Sequence, residues 1–302
     1  MQHDAIVIGG SFAGLSAAMQ IARARRQVCV IDTGQPRNRF ADASHGFFGQ
    51  DGIAPRSMIA MARAQLERYP TVQIVTDEAS GARPSEKGFE VMTKGGLTLS
   101  ARKLVLAFGI SDELPELPGL GERWGKSVLH CPYCHGLEYA GGRLGVLQTM
   151  SMSTHQALLI ADWGPTTLYL NGGASPEGEI RAKLARRGVA IEPARVTALQ
   201  GTGDGLSSLC LEDGREAPID ALYIAPRSRF NSPIAEELGC AVDDSPLGPL
   251  IRTDAAKLTS VPGVYAAGDI ARAPHNASWA ASDGVTAGVS LHQALVFEPL
   301  VG

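Results

Sequence analysis

Apolar residues along this chain fall either in short runs that end at glycine or at helical spacing, and the two patterns alternate from the first residues onward. AIVIG (5–9) reads as a buried strand, 13–25 has helical spacing, and VCVID (28–32) is a second buried strand. Strand, glycine turn, helix and strand within about 30 residues make a βαβ unit, with parallel strands and a right-handed crossover. Helical spacing returns over 55–69, while TVQIVT, GFEVMT, LTLS and KLVLAFG are strand-like and several are separated by short turns. SDELPELPGLGERWG, rich in proline and glycine, reads as a crossing between domains. RLGVLQT (143–149), a helix over 153–163 and TTLYLNG (166–172) then repeat the βαβ arrangement, and GVYAAGD (263–269) with a helix over 278–295 closes the pattern. The predicted class is α/β, with two Rossmann-like dinucleotide-binding folds.

Composition narrows this picture. A length of 302 residues favours two domains at roughly 100–200 residues each, and 35 glycines point to many tight turns. The 27 basic and 31 acidic residues give a formal charge of −4, which argues against nucleic acid as a partner. At 44% hydrophobic, with no apolar run near the roughly 18 residues of a membrane helix, neither a membrane protein nor a disordered chain is expected. The start, MQHDAIVIGG, lacks the features of a secretory signal, so the expected location is cytoplasmic. Five cysteines are then mostly reduced thiols rather than a disulfide framework. Cys29 lies in the run VCVI and reads as core; Cys210 and Cys240 are solitary.

Candidate chemistry begins at Gly9, Gly10, Ser11, Phe12, Ala13 and Gly14, between the first strand and its helix. In a dinucleotide site the first glycine allows the tight turn, the middle one admits the pyrophosphate and the last permits helix packing. Here Ser11 stands at the middle position, where its hydroxyl can donate to phosphate. Asp32 ends the second strand, where a ribose-binding acid belongs. Further on, KLVLAFGISDELPELPG (103–119) ends a strand at Gly109, and VYAAGD carries Gly268 and Asp269 just after another.

With these segments the chain resembles the flavoprotein disulfide reductases, particularly the short thioredoxin-reductase type. The resemblance covers essentially the whole length. It implies FAD bound by the first unit, with Asp269 of the Ala-Gly-Asp motif on the ribityl chain. It also implies an FAD domain of 1–117 and 245–302, an inserted NADPH-domain-like unit of 118–244, and a homodimer. The turn-rich loop from His45 to Gly52 corresponds to a place where this family contacts the flavin; the alternative is a surface turn with packed aromatics. The last helix, with Ser278, Trp279, Ser282, Asp283 and Gly284, would face the flavin pyrimidine, although the family's usual Arg-Gln-Ala is absent.

Cys131-Pro132-Tyr133-Cys134-His135 is the most chemically specific stretch. Two intervening residues let the cysteines close a disulfide and cycle between dithiol and disulfide. A structural zinc site needs further ligands at suitable spacing, and none is found. Haem attachment, which shares the Cys-x-x-Cys-His string, belongs with export and an axial ligand. The redox reading remains. By the resemblance, Cys134 is the thiol nearest the flavin and Cys131 the outer thiol that exchanges with substrate. The family's usual aspartate after the second cysteine is His135 here, and a neutral imidazole takes a thiol proton more readily. The same arrangement occurs in dithiol oxidases that close disulfides in natural products of the gliotoxin, holomycin and romidepsin kind. His130 either assists or is a solvated loop histidine.

After Gly145 no glycine occurs before Gly164, and Gln148 and Met150 occupy the stretch where backbone must approach a pyrophosphate. Arg181, Arg186 and Arg187 read as a solvated helix face rather than a 2′-phosphate site. NADPH binding is therefore expected to be weak or absent, so that electrons enter through the cysteines from a small dithiol and leave to oxygen. The alternatives are an NADPH-dependent reductase of the thioredoxin-reductase kind and a non-catalytic flavoprotein that senses redox state.

Overall fold

The computed structural model describes residues 2–297, and the chain forms two compact units. The first comprises residues 1–39, 55–111 and 228–302; the second comprises 40–54 and 112–227.

In the first unit β1 (Gln2–Ile8), α1 (Phe12–Arg23) and β2 (Val28–Asp32) make the expected βαβ unit, followed by α2 (Pro55–Leu66), β3 (Val72–Thr76), β4 (Ala79–Ser85), β5 (Gly88–Thr93) and β6 (Thr98–Leu106). LTLS and most of KLVLAFG join into β6, because its start pairs antiparallel with β5 while its end runs parallel to β1. Strand order is β3-β2-β1-β6-β5-β4. Period-2 alternation splits the buried residues between two layers. Ile6, Ile8, Cys29, Ile31, Leu104 and Leu106 line one face; Ala5, Val7, Val28, Val30 and Val105 line the other.

The chain then runs through β7 (Ile110–Glu113), a short strand within the stretch read as a plain crossing. The second unit contains β8 (Val128–Leu129), α3 (Pro132–His135), β9 (Leu144–Leu147), α4 (Ser153–Ile160), β10 (Thr166–Tyr169), α5 (Gly178–Arg186) and β11 (Ala190–Glu192). Next come β12 (Val196–Gln200), β13 (Ser208–Leu211), β14 (Glu216–Pro218) and β15 (Ala221–Ile224). The parallel sheet β11-β10-β9-β15-β8 is a second Rossmann-like layer. Leu144, Val146, Leu168 and Tyr223 face α4 and α5, while Leu147, Tyr169 and Leu222 face the antiparallel sheet β12-β13-β14.

β16 (Arg227–Phe230), paired with β7, precedes α6 (Ile234–Glu237), β17 (Val242–Ser245), β18 (Gly248–Ile251), β19 (Val264–Ala266) and α7 (Ala277–Phe297). Helix α7 lies against α1 through two glycines. A Cβ at Gly284 would sit 2.0 Å from the Ala13 carbonyl oxygen, and one at Gly288 would sit 2.5 Å from that of Ala17.

The units depart from the expected boundaries in three places, the smallest being residues 112–117, which pack with the second unit. Residues 228–244 pack with the first unit, because Ile234, Ala235 and Leu238 complete its core. Residues 40–54 pack with the second, where Lys126 pairs with Asp42 and Gly125 lies under Phe40. Among the described residues no helix is long and apolar enough to cross a membrane, and no cluster of side chains suits a metal ion.

Candidate active site

The first glycine loop is fixed by backbone contacts. Gly9 has φ +109°, and a Cβ there would fall 2.2 Å from the Ala107 carbonyl oxygen; one at Gly14 would fall 1.8 Å from that of Gly9. Only glycine permits these approaches. Gly10 N donates to Asp32 Oδ1 at 2.9 Å, tying the loop to the end of β2 and leaving Asp32 Oδ2 for a ligand. Ser11 is the N-cap residue of α1, yet its side chain makes no capping bond and the first turn holds no acid. The positive end of the helix dipole is thus left for an anion. Ala13 is buried and acts as a spacer between Gly268 and α7.

Asp269 opens a short turn after β19, where Gly268 has φ +83°, and accepts from Arg37 Nη1 at 3.2 Å. The adjacent Asn38 Oδ1 is buried without a partner. Gly109, at φ +71°, is held by Asn231, whose amide donates to the Gly109 carbonyl and whose side chain donates to that of Phe108. Asp283 is not presented to a ligand. It is 3% exposed, and Lys257 and Arg272 each reach it at 2.8 Å.

In the second unit Cys131 caps α3, a single turn with Pro132 at its first position. Proline suits that position because the missing N–H has no partner there anyway. The amides of Cys134 and His135 both donate to the Cys131 carbonyl, so the cysteines sit at the two ends of one turn. Both are half-buried. Gly136 is required by packing: a Cβ there would lie 2.7 Å from Trp163 Nε1.

His135 is held below the usual 6.5, chiefly by burial, with Glu138 opposing and His45 adding to the shift. It is therefore a neutral acceptor at pH 7. His45 stands in this cluster, with Nε2 3.2 Å from Glu138 Oε1 and its ring edge-on to His135 at 6.2 Å between centroids. The sequence reading placed His45 among the flavin contacts; in the structure its segment packs with the cysteine unit. His130 is half-buried, and its carbonyl accepts from Gln156 Nε2 at 2.8 Å. The remaining cysteines stand apart: burial raises the Cys29 thiol to about 11 and also raises Cys240.

Between β9 and α4 the loop closes on itself. Ser153 Oγ accepts from the amides of Thr149 and Met150 at 3.1 and 3.3 Å, and Thr149 Oγ1 donates to the Ala225 carbonyl. The Gln148 side chain donates to the Ala174 carbonyl. After β10, Asn171 Oδ1 accepts from the Val196 amide, and Arg187 pairs with Asp162. Two backbone amides that a second pyrophosphate could meet, those of Thr149 and Met150, are thus taken by Ser153, while the start of α4 carries no side-chain cap.

Residues 3–150 and 173–284 match the family described as pyridine nucleotide-disulphide oxidoreductase. The chain belongs to that family. It is 34% identical over 277 residues to thioredoxin reductase tcpT of Claviceps purpurea (strain 20.1), covering 88% of this chain and 86% of that one. Among solved structures it resembles an oxidoreductase from Agrobacterium tumefaciens, at 44% identity and TM-score 0.95 over 99% of this chain and all (100%) of that one. It also resembles HlmI, at 34% identity and TM-score 0.91 over 98% of this chain and 93% of that one.

As a member of this family the protein is an FAD-dependent disulfide oxidoreductase. The first unit fits FAD: a glycine turn that no side chain fills, an uncapped helix start, an acid at the end of β2 and a buried, unpartnered Asn38 Oδ1. Arg37, Asn38, Asn231 and Gln156 were missed in the sequence. Each is a common residue type in an unremarkable local pattern, and only the fold brings it to the site.

Proposed function

We propose that the protein oxidises a small-molecule dithiol to its disulfide through Cys131 and Cys134, with oxygen as the final electron acceptor. The observation that carries this reading is the second loop, where Ser153 Oγ takes the amides of Thr149 and Met150. Without a nucleotide there, reducing equivalents enter at the cysteines.

With the pair as a disulfide, one substrate thiol loses its proton to neutral His135 and the thiolate attacks Cys131. The Cys131–Cys134 bond breaks, and Cys134 leaves as thiolate. The second substrate thiol then attacks the mixed disulfide, its proton passing to the departing Cys131 sulfur, which releases the product disulfide and leaves Cys131 as a thiol. The substrate has lost two electrons and two protons; the pair has gained the electrons. Glu138 and His45, both beside His135, modulate how readily it takes and returns the proton. FAD, when bound, would supply a two-electron acceptor for the reduced pair and the means of delivering those electrons to oxygen. Asp32, Asp269, Gly268, Gly109 and the loop Gly9, Ser11, Ala13 and Gly14 would hold it.

The reading predicts one oxygen consumed and one peroxide formed per dithiothreitol oxidised, with turnover lost in Cys131→Ser and Cys134→Ser. Unchanged turnover in either variant contradicts the cysteine route.

A further inference from the structure

Gln156 lies on α4, the helix that follows the closed loop of the second unit. It is 9% exposed, beside Ala157 and Ile160, which belong to the apolar layer under β9 and β15. A carboxamide is a costly residue for such a place unless both its ends are bonded. Only one end is: Nε2 donates to the His130 carbonyl at 2.8 Å, while Oε1 is buried with no partner. The bond it makes falls on the peptide immediately before Cys131, the residue whose carbonyl in turn accepts the amides of Cys134 and His135. One side chain thus ties the start of the redox turn to a helix of the underlying fold.

We infer that Gln156 is a positioning residue for the outer thiol. Its hydrogen bond fixes the peptide plane entering Cys131 and so sets the direction from which that sulfur meets an incoming thiolate. Sulfur transfer needs the three sulfur atoms close to a line, and small displacements of a reacting atom are costly in rate. A helix that serves a phosphate loop in other Rossmann units serves here to hold the cysteine turn. This inference rests on Cys131 being the exchanging thiol.

Two substitutions test it in the FAD-loaded protein. Gln156→Met keeps the length and removes both polar ends, including the unpartnered Oε1; Gln156→Glu keeps the shape and, assayed at a pH where its carboxyl is ionised, cannot donate to the His130 carbonyl. The readouts are melting temperature, bound FAD, the iodoacetamide rate at Cys131 relative to Cys134 by peptide mass spectrometry, and kcat and KM with dithiothreitol. The expected result for Gln156→Met is a melting temperature equal to or above wild type with FAD retained. The Cys131 rate and kcat fall on the order of 10-fold, and KM is unchanged. Gln156→Glu reproduces the loss at Cys131 and decides the matter should the Met variant fail to fold. A Cys131 rate within about twofold of wild type in the folded variants, or a loss of rate only in step with stability, overturns the inference. Failure of the functional reading looks different: Cys131→Ser would still oxidise dithiothreitol, while the alkylation rates would continue to report on the anchor.

Discussion

Ser153 Oγ lies 3.1 Å from the Thr149 amide nitrogen and accepts its hydrogen bond. A serine side chain therefore occupies a backbone donor that a pyrophosphate would use, and it takes the Met150 amide as well. The first unit differs at the corresponding place: glycine makes the turn there, and the Ser11 side chain caps nothing in α1. The two loops thus differ in the turn itself, glycine in one and a serine-bonded turn in the other, while neither α1 nor α4 has a side-chain cap.

Ser153→Ala is expected to destabilise the second unit without restoring a nucleotide site. Ser153 is fully buried, whereas Thr149 is exposed and Met150 half-buried, so water can meet the freed amides and the loss is about 0.5–1.5 kcal/mol for each hydrogen bond. Thermal denaturation should show a lower melting temperature, and titration with NADPH should show no new binding. Tight NADPH binding in this variant would mean that the serine alone closes the loop.

The pH profile follows from His135. Burial holds it below 6.5, so the neutral base persists into mildly acidic solution, and kcat/KM for a dithiol falls only as pH drops through that lowered value. Glu138 raises His135 and His45 lowers it. Glu138→Gln therefore moves the acid limb to lower pH, and His45→Ala moves it higher. The unfolded chain takes up the His135 proton first on acidification, so stability also declines as pH falls through 6.5. An acid limb that stays in place in both variants removes His135 from the role of base.

Asp269→Asn should weaken retention of FAD. Asp269 is paired with Arg37 at 3.2 Å, and the substitution removes that charged contact and turns one acceptor oxygen of the site into a donor. A loss on the order of 10-fold in affinity, read from flavin fluorescence on dilution, matches one charged hydrogen bond of about 1.5–3 kcal/mol. Full retention of FAD would place Asp269 outside the binding site.

Much of the first unit was legible in the sequence, because its strands are continuous apolar runs and the loop glycines stand at diagnostic spacing. Asp32 and the cysteine pair were legible for the same local reason. The allegiance of residues 40–54 was not. It depends on Lys126 with Asp42 and on Glu138 with His45, pairs far apart in the chain that carry no local pattern. Asp283 was not legible either: Lys257 and Arg272, which enclose it, lie elsewhere in the chain. The sequence has no glycine between Gly145 and Gly164, but only the fold reveals that Ser153 Oγ takes the amides of Thr149 and Met150.

Gly284→Ala tests the helix packing that supports the first loop. The added methyl would lie 2.0 Å from the Ala13 carbonyl oxygen, so α1 and α7 must separate, at about 1–3 kcal/mol for an overpacked contact. Lower thermal stability together with weaker FAD binding is expected, since Ala13 belongs to the turn that begins α1. Wild-type stability would mean that the helices part without strain.

The most direct test of dithiol entry is anaerobic mixing of the FAD-loaded protein with NADPH and, separately, with dithiothreitol, while flavin absorbance is followed. The account predicts that dithiothreitol bleaches the flavin, that NADPH leaves it oxidised, that Cys134→Ser abolishes the bleaching and that admitting air restores the colour. Rapid bleaching by NADPH would contradict it.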